Sequence, residues 1–439
     1  MKLRNLLSSC AALALASLAT AGDLVAIKAG HVETVSHGCI QHAVILVEDG
    51  KIVTVGKDLP IERGIPIIDA PDLWIVPGFV DPYSRVALDA RGGSEFNPQI
   101  RAEAELFPRA EEFEETLKAG VTTLGLYPPG SGGMPGQACA VRPAGATAQE
   151  MLIKSGSYLL FVFRSDARSK KMLKDAFEKA NEYVDKEKKA REKWEKDQSK
   201  KKDDKKDEKK EEKKEEKKEG TAADFQDEAA QDKKDEKAEK TDAAKGYVPP
   251  EADEKIKPFL DLRANKLRML VTLFGAADWL HFSQALGEEK IGYDLRIALT
   301  RDIDIYEVAK QIGEKKLRVM MEPEITTVAG TLRQRNLPAE FVAAGAKLVL
   351  LPRGDSPTAF KNWPRNVGEI IAAGLGRDVA LRAMTLEPAE MLGVADRVGS
   401  IDKDKDANLL FFNGDPFEPS SKLIAVMFEG RIVHGEVQQ

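Results

Sequence analysis

A chain of 439 residues, with 42% hydrophobic and 31% charged side chains, is longer than one hydrophobic core usually holds, so more than one packed unit is expected. The net charge is −6, and where charge is densest the two signs are interleaved. This excludes a polybasic patch for nucleic acid or membrane surfaces.

Residues 1–21 read as a cleaved secretory signal. Lys2 and Arg4 precede an apolar run from Leu6 to Leu18, and Ala19-Thr20-Ala21 supplies the small-residue cleavage pattern. The run is too short to span a bilayer and no later segment reaches that length, so the expected mature chain is exported, periplasmic or secreted, with no membrane span. A lipoprotein site at "LSSC", Leu7 to Cys10, is the weaker reading because the best apolar run follows that cysteine. Cleavage would leave Cys39 and Cys139, either as one disulfide or as two unlinked small residues.

Residues 22–76 alternate short β-rich runs with turns, Asp49-Gly50 being a hairpin signal, and 401–439 repeat the style around Glu429-Gly430. A small β-sandwich built from both chain ends is therefore expected. Between them, over 77–400, strand-like runs such as "GFVD", "VTTLGLY", "YLLFVF", "RMLVTLF", "LRIALT", "LRVMME" and "KLVLLP" alternate with helix-like stretches. Seven strands and one without a clear place predict an α/β fold, a distorted (β/α)8 TIM barrel.

The barrel is interrupted at about 186–245. Leu173, Phe177, Ala180 and Val184 lie at helical spacing and predict a packed helix. The Lys/Glu-rich stretch that follows has almost no apolar residue and cannot bury a face. It is either disordered or a solvated single helix, and it reads as a surface insertion.

Six stretches in order resemble the amidohydrolase superfamily, metal-dependent hydrolases, in its imidazolonepropionase-like branch. They are "EDGKIVTVG", "IVPGFVDPYSR", "NPQIRAEAELFPRAEEFEETLKAGVTTLGLYPPGSGGMPGQ", "RMLVTLFGAADWLHFSQAL", "KLVLLPRGDSP" and "ALRAMTLEPAEMLGVADRVGSIDKDKDANLLFFNGDPF". The resemblance implies a β-sandwich around a distorted barrel. It also implies zinc or another divalent metal at the C-terminal strand ends, where a metal-bound hydroxide attacks a C–N bond other than a peptide bond. It places a His-x-His pair on the first strand, where period two puts both imidazoles on one side. Further histidines belong on later strands and an aspartate on the eighth.

Here the His-x-His positions are Tyr83 and Arg85. The strand-five ligand falls near Thr272 and the strand-six ligand near Thr300 or Arg301. His31, His37, His42 and His434 belong to the expected sandwich, and His281 to a helix. Only the aspartate survives, as Asp355, the single catalytic candidate. No metal and no other cofactor is expected, and Arg85 is expected to fill the vacated position by pairing with Asp355, with Arg353 as the alternative partner.

Glu322, Glu324 and Arg353 are candidate pocket residues. The two glutamates, with Asp302 and Asp304 past another strand, leave an all-oxygen calcium or magnesium site as a weaker reading. The glycine-rich "YPPGSGGMPGQACAVRPAG" lacks the ending of a nucleotide loop and is expected to lie over the barrel mouth. Three functions stay open. The first is an exported non-catalytic homologue that binds a ligand or serves structure. The second is an active C–N hydrolase with a non-standard metal site or an Asp355-based mechanism. The third is an accessory subunit of an intact amidohydrolase, with homo-oligomerisation or a small-molecule ligand also open.

Overall fold

The structure is a computed structural model that describes residues 24–108, 110–215, 247–300 and 303–437. The signal reading, Arg301, Asp302 and residues 216–245 of the insertion lie outside them. The chain opens with β1 (Leu24–Glu33), β2 (Cys39–Glu48), β3 (Lys51–Lys57) and β4 (Ile67–Pro77). Then come β5 (Phe79–Ser84), β6 (Ser94–Phe96), α1 (Glu111–Lys118), β7 (Val121–Leu126), β8 (Gly132–Gln137) and β9 (Cys139–Val141). They are followed by α2 (Ala148–Met151), β10 (Leu152–Lys154), β11 (Leu159–Val162), α3 (Ala167–Glu215), α4 (Lys257–Arg263), β12 (Met269–Leu273), α5 (Ala276–Leu286) and β13 (Tyr293–Ile297). The next elements are α6 (Ala309–Glu314), β14 (Arg318–Met321), the hairpin β15 (Thr326–Thr327) and β16 (Gln334–Arg335), α7 (Leu337–Ala343) and β17 (Lys347–Leu350). Helices α8 (Pro357–Ala372), α9 (Arg377–Met384) and α10 (Leu386–Leu392) lead to β18 (Leu409–Phe412), β19 (Leu423–Phe428) and β20 (Arg431–Gly435).

The two chain ends meet in one sheet, ordered β20-β19-β18-β4-β1-β2-β3. Asp49-Gly50 and Glu429-Gly430 make its two tight hairpins, with positive φ at all four residues. β4 pairs with β1 on one side and β18 on the other, which joins the N- and C-terminal strands into a single ladder. The strands expected to build a small β-sandwich from both chain ends form one continuous composite sheet. Arg377 ties it to the barrel-like domain, reaching Glu33 at 2.8 Å and Asp415 at 2.5 Å.

The rest is an α/β domain with TIM-barrel-like organisation. β11, β12, β13, β14 and β17 run parallel, as do β5 and β7. Their residues alternate between two apolar layers. Leu159, Phe161, Val271 and Leu350 join the layer that packs under the helices, whereas Leu160, Leu270, Met320 and Val349 share the inner one.

Closure of eight parallel strands, as expected from sequence, is not what the described strands form. They divide into two sheets, β10-β9-β7-β5 and β17-β14-β13-β12-β11-β8-β6, with no ladder between β17 and β5. The position that lacked a clear strand is filled by residues 132–141, which run antiparallel to β11 and β7. This is the glycine-rich stretch. A side chain at Gly136, where φ is +142°, would collide with the Ile100 carbonyl. The stretch is thus a buried strand packed against 94–100, and not a loop over the mouth.

The N-terminal strand ends carry a buried ion cluster. Arg318 reaches Glu387 and Glu390 on α10 at 3.0 Å each and Asp294 at 3.4 Å. Arg268 holds Asp294, and Arg382 holds Glu387 and Glu390. Glu387 is kept below its usual range: burial opposes ionisation, but Arg318, Arg382 and Lys347 outweigh it.

Helix α3 has 49 residues, about 74 Å at 1.5 Å per residue. Leu173, Phe177 and Ala180 are buried in the core, but Val184 is 42% exposed, because the helix has left the body by that turn. There the returning chain grips it. Tyr183 donates to the Pro250 carbonyl, Tyr247 donates to the Glu187 carbonyl, and Tyr247 packs edge-on against Trp194. The cysteines are not linked: Cys39 is exposed and Cys139 is a free buried thiol. Among the described residues no helix is long and apolar enough to cross a membrane.

Candidate functional site

The C-terminal ends of β5, β7, β12, β13, β14 and β17 converge on the position where the sequence places vacated ligands. Tyr83, near the end of β5, stacks on Tyr127 just past β7, with ring centroids 3.9 Å apart and planes 17° from parallel. The Arg296 guanidinium lies 4.4 Å from the Tyr83 ring centroid and binds Glu322 at 3.2 Å. An aromatic pair, a cation and its carboxylate therefore fill the mouth.

Asp355 is not paired with a guanidinium. It accepts the Ser84 hydroxyl at 2.8 Å and the Arg85 backbone N–H at 3.1 Å. These bonds bridge β5 and the loop after β17, at the seam where no strand ladder forms. The expected Arg85–Asp355 ion pair is thus corrected. The Arg85 side chain turns the other way, donating to the Tyr127, Leu88 and Ala90 carbonyls and pairing with Glu105 at 3.2 Å. Three carbonyls and a carboxylate match the guanidinium fork better than a single carboxylate does. Arg353 also turns elsewhere, to the Pro323 carbonyl and to Glu369 at 3.6 Å.

Beneath this sits Asp81, fully buried. Its Oδ1 accepts the Tyr83 N–H at 3.1 Å, and its Oδ2 has no hydrogen-bond partner among the described residues. Burial, and then the neighbouring Asp355, push its carboxyl well above the usual carboxylate range. Asp355 sits on an exposed turn, but its carboxyl is crowded by protein. That desolvation raises its pKa against the opposing bonds from Ser84 and Arg85. Tyr127 is raised by burial and then by Tyr83 and Asp355. A raised Asp81 favours the protonated form, which lets two carboxyls share the seam without full repulsion.

The remaining predicted positions separate. Thr272 is buried, with its hydroxyl unpartnered among the described residues, in register with Arg296 across β12 and β13. Thr300 is exposed, and Arg301 lies outside the described residues. Of Glu322, Glu324 and Arg353, only Glu322 joins the mouth, while Glu324 is exposed. Asp304 accepts the Ala276 N–H at 2.7 Å and so caps α5. His281 lies on α5, and His31 stacks on Trp74 in the composite sheet.

Asp81, Tyr127 and Arg296 were missed by sequence reasoning. Arg296 could have been found from alternation: Leu295 and Ile297 face the helices, so a charge between them must point inward. Asp81 precedes Tyr83 by two residues and shares its side of the extended chain.

Replacing Asp355 with Ala removes both seam bonds. The expected cost is about 1–2 kcal/mol, read as a lowered urea midpoint. An unchanged midpoint would overturn its role as a clasp.

Residues 373–435 match the amidohydrolase family. An amidohydrolase from Thermotoga maritima MSB8 has the same fold, with a TM-score of 0.70 at 20% identity over 94% of this chain and 100% of that one. A second amidohydrolase structure gives 0.51 at 14% identity over 94% and 100%. No curated protein matches the chain.

The metal that the resemblance implies is a poor match to the donors present. Tyr83, Thr272 and Arg296 occupy the strand ends, and Glu322 is already engaged by Arg296. Among the described residues no group of three or more His, Cys, Asp or Glu side chains is arranged to hold a metal ion. A guanidinium and neutral hydroxyls in that position do not suit a divalent cation.

Proposed function

We propose that this chain is an exported, non-catalytic amidohydrolase-superfamily protein of the imidazolonepropionase-like branch, whose former metal site now serves structure. The observation that carries this reading is Arg296. Its fixed positive charge lies over Tyr83 and neutralises Glu322 where the superfamily would hold a dication. Arg85 supports the same reading in a different way from that expected, since it anchors the loop after β5 rather than Asp355. Export rests on the sequence of residues 1–21.

Inductively coupled plasma mass spectrometry on protein purified without chelator or metal-affinity steps tests the reading. Zinc, manganese and iron are expected far below one per chain. The double variant Tyr83→His with Arg85→His is expected to remain metal-free and inactive on C–N substrates, because Arg296 and Thr272 are unchanged. A stoichiometric metal in the wild type, or hydrolysis by the double variant, would overturn it.

A further inference from the structure

Far from the strand ends, a cavity of about 380 Å³ opens between α8, the end of α1 and the β18–β19 side of the composite sheet. Its apolar lining is Leu423, the edge of the buried Phe412, and prolines from α8 and the loop after β18. Its walls are cationic. Lys361 and Arg365 stand one helical turn apart on α8, Lys422 leads into β19, and His434 approaches from β20.

Lys118, also in the lining, is matched by Glu114 and Glu115 at 2.8 and 3.0 Å. Lys361, Arg365 and Lys422 have no such carboxylate among the described residues, and Glu418 is the one acidic residue of the lining. Like charges at i and i+4 weaken a helix, so Lys361 and Arg365 do not stabilise α8 by standing together. Their field already extends inward. Glu115 is lowered first by its bond from Lys118, and Lys361 and His434 add to the effect.

We infer that this cavity binds a small organic anion with an apolar body. Its carboxylate or phosphate group is held by Lys361, Arg365 and Lys422, and its apolar part lies on Leu423 and the prolines of the lining. The three cations come from α8 and the start of β19 and line one cavity together with apolar side chains, an arrangement that selects for both properties of such a ligand. The site lies outside the strand-end mouth and does not depend on whether that mouth is catalytic.

Isothermal titration calorimetry on the full chain at low ionic strength tests this with three probes: phenyl phosphate, inorganic phosphate and benzylamine. Phenyl phosphate is expected to bind saturably at one per chain, inorganic phosphate more weakly, and benzylamine not at all. Lys361→Glu combined with Arg365→Glu is expected to weaken phenyl phosphate at least about tenfold, and added salt should weaken it in the wild type. Both residues are exposed, so the melting temperature should be kept. Should it fall, Lys422→Glu makes the same test from another element. Absence of phenyl phosphate binding, or binding that survives charge reversal, would overturn the site. Equal affinity for inorganic phosphate would overturn the role of the apolar lining.

Discussion

Arg318→Ala is expected to lower the free energy of unfolding by about 3 kcal/mol, toward the lower end of the range for breaking a buried ion pair from one side. The residue is 9% exposed, and its partners Asp294 and Glu387 are 2% and 5% exposed. Removing it leaves both carboxylates deep in the protein. The loss stops short of the largest values because Arg268 still holds Asp294 at 2.9 Å and Arg382 still holds Glu387 at 2.8 Å. Arg318→Met keeps the aliphatic volume and should fall between wild type and Ala. Combining it with Glu387→Gln should recover part of the loss, since the stranded charge is then gone. A urea midpoint for Arg318→Ala equal to the wild type would mean that the cluster contributes nothing net to stability.

The same cluster sets a pH dependence of known sign. Glu387 is held below its usual 4.5, so its stabilising contribution is complete above that pH and disappears as pH falls through the lower folded value. In Arg318→Ala that value rises, and the gap between variant and wild type should narrow as the medium is acidified below about 4.5. At the other end of the strands the sign is opposite. Asp81 is raised above its usual 3.8. Its folded state is favoured most at low pH, and the benefit is lost as pH rises through the folded value.

Sequence pattern made the strand–helix alternation of the α/β half and the meeting of the two chain ends legible, because both rest on short-range signals. Fully buried strands read as unbroken apolar runs, and Asp-Gly or Glu-Gly between β-branched runs marks a hairpin. It could not show how far the barrel closes. The antiparallel course of 132–141 depends on glycines packing against the backbone of 94–100, a contact that no local pattern encodes. At the mouth, the absence of histidine at 83, 85 and 272 was readable one residue at a time. The partners were not. Arg85 and Arg296 are both cations at strand ends, and which of them turns inward depends on the carbonyls of the loop that follows β5. Those carbonyls capture Arg85 and leave the mouth to Arg296.

This division of labour makes Arg296→Ala the sharpest test of the mouth. Arg296 and Glu322 are 17% and 23% exposed as side chains, and Asp81 and Asp355 lie within the same electrostatic neighbourhood. Without the guanidinium, three carboxyls remain around Tyr83 with no cation among them. The expected loss is about 2–3 kcal/mol at neutral pH, below the range for a fully buried pair because solvent reaches both partners. It should be largest at high pH and shrink on acidification as Asp81 and Asp355 take up protons, because removing the cation raises their folded pKa values further. Arg296→Lys should restore part of the stability, since it returns the charge but not the planar stack on Tyr83. Melting temperatures of the two variants across pH 4 to 8 separate these contributions, with the range chosen to bracket about one unit above the carboxylates' usual values and beyond. A loss that does not change with pH would assign Arg296 to packing alone, and then the reading of the mouth as a site held shut by charge would fail.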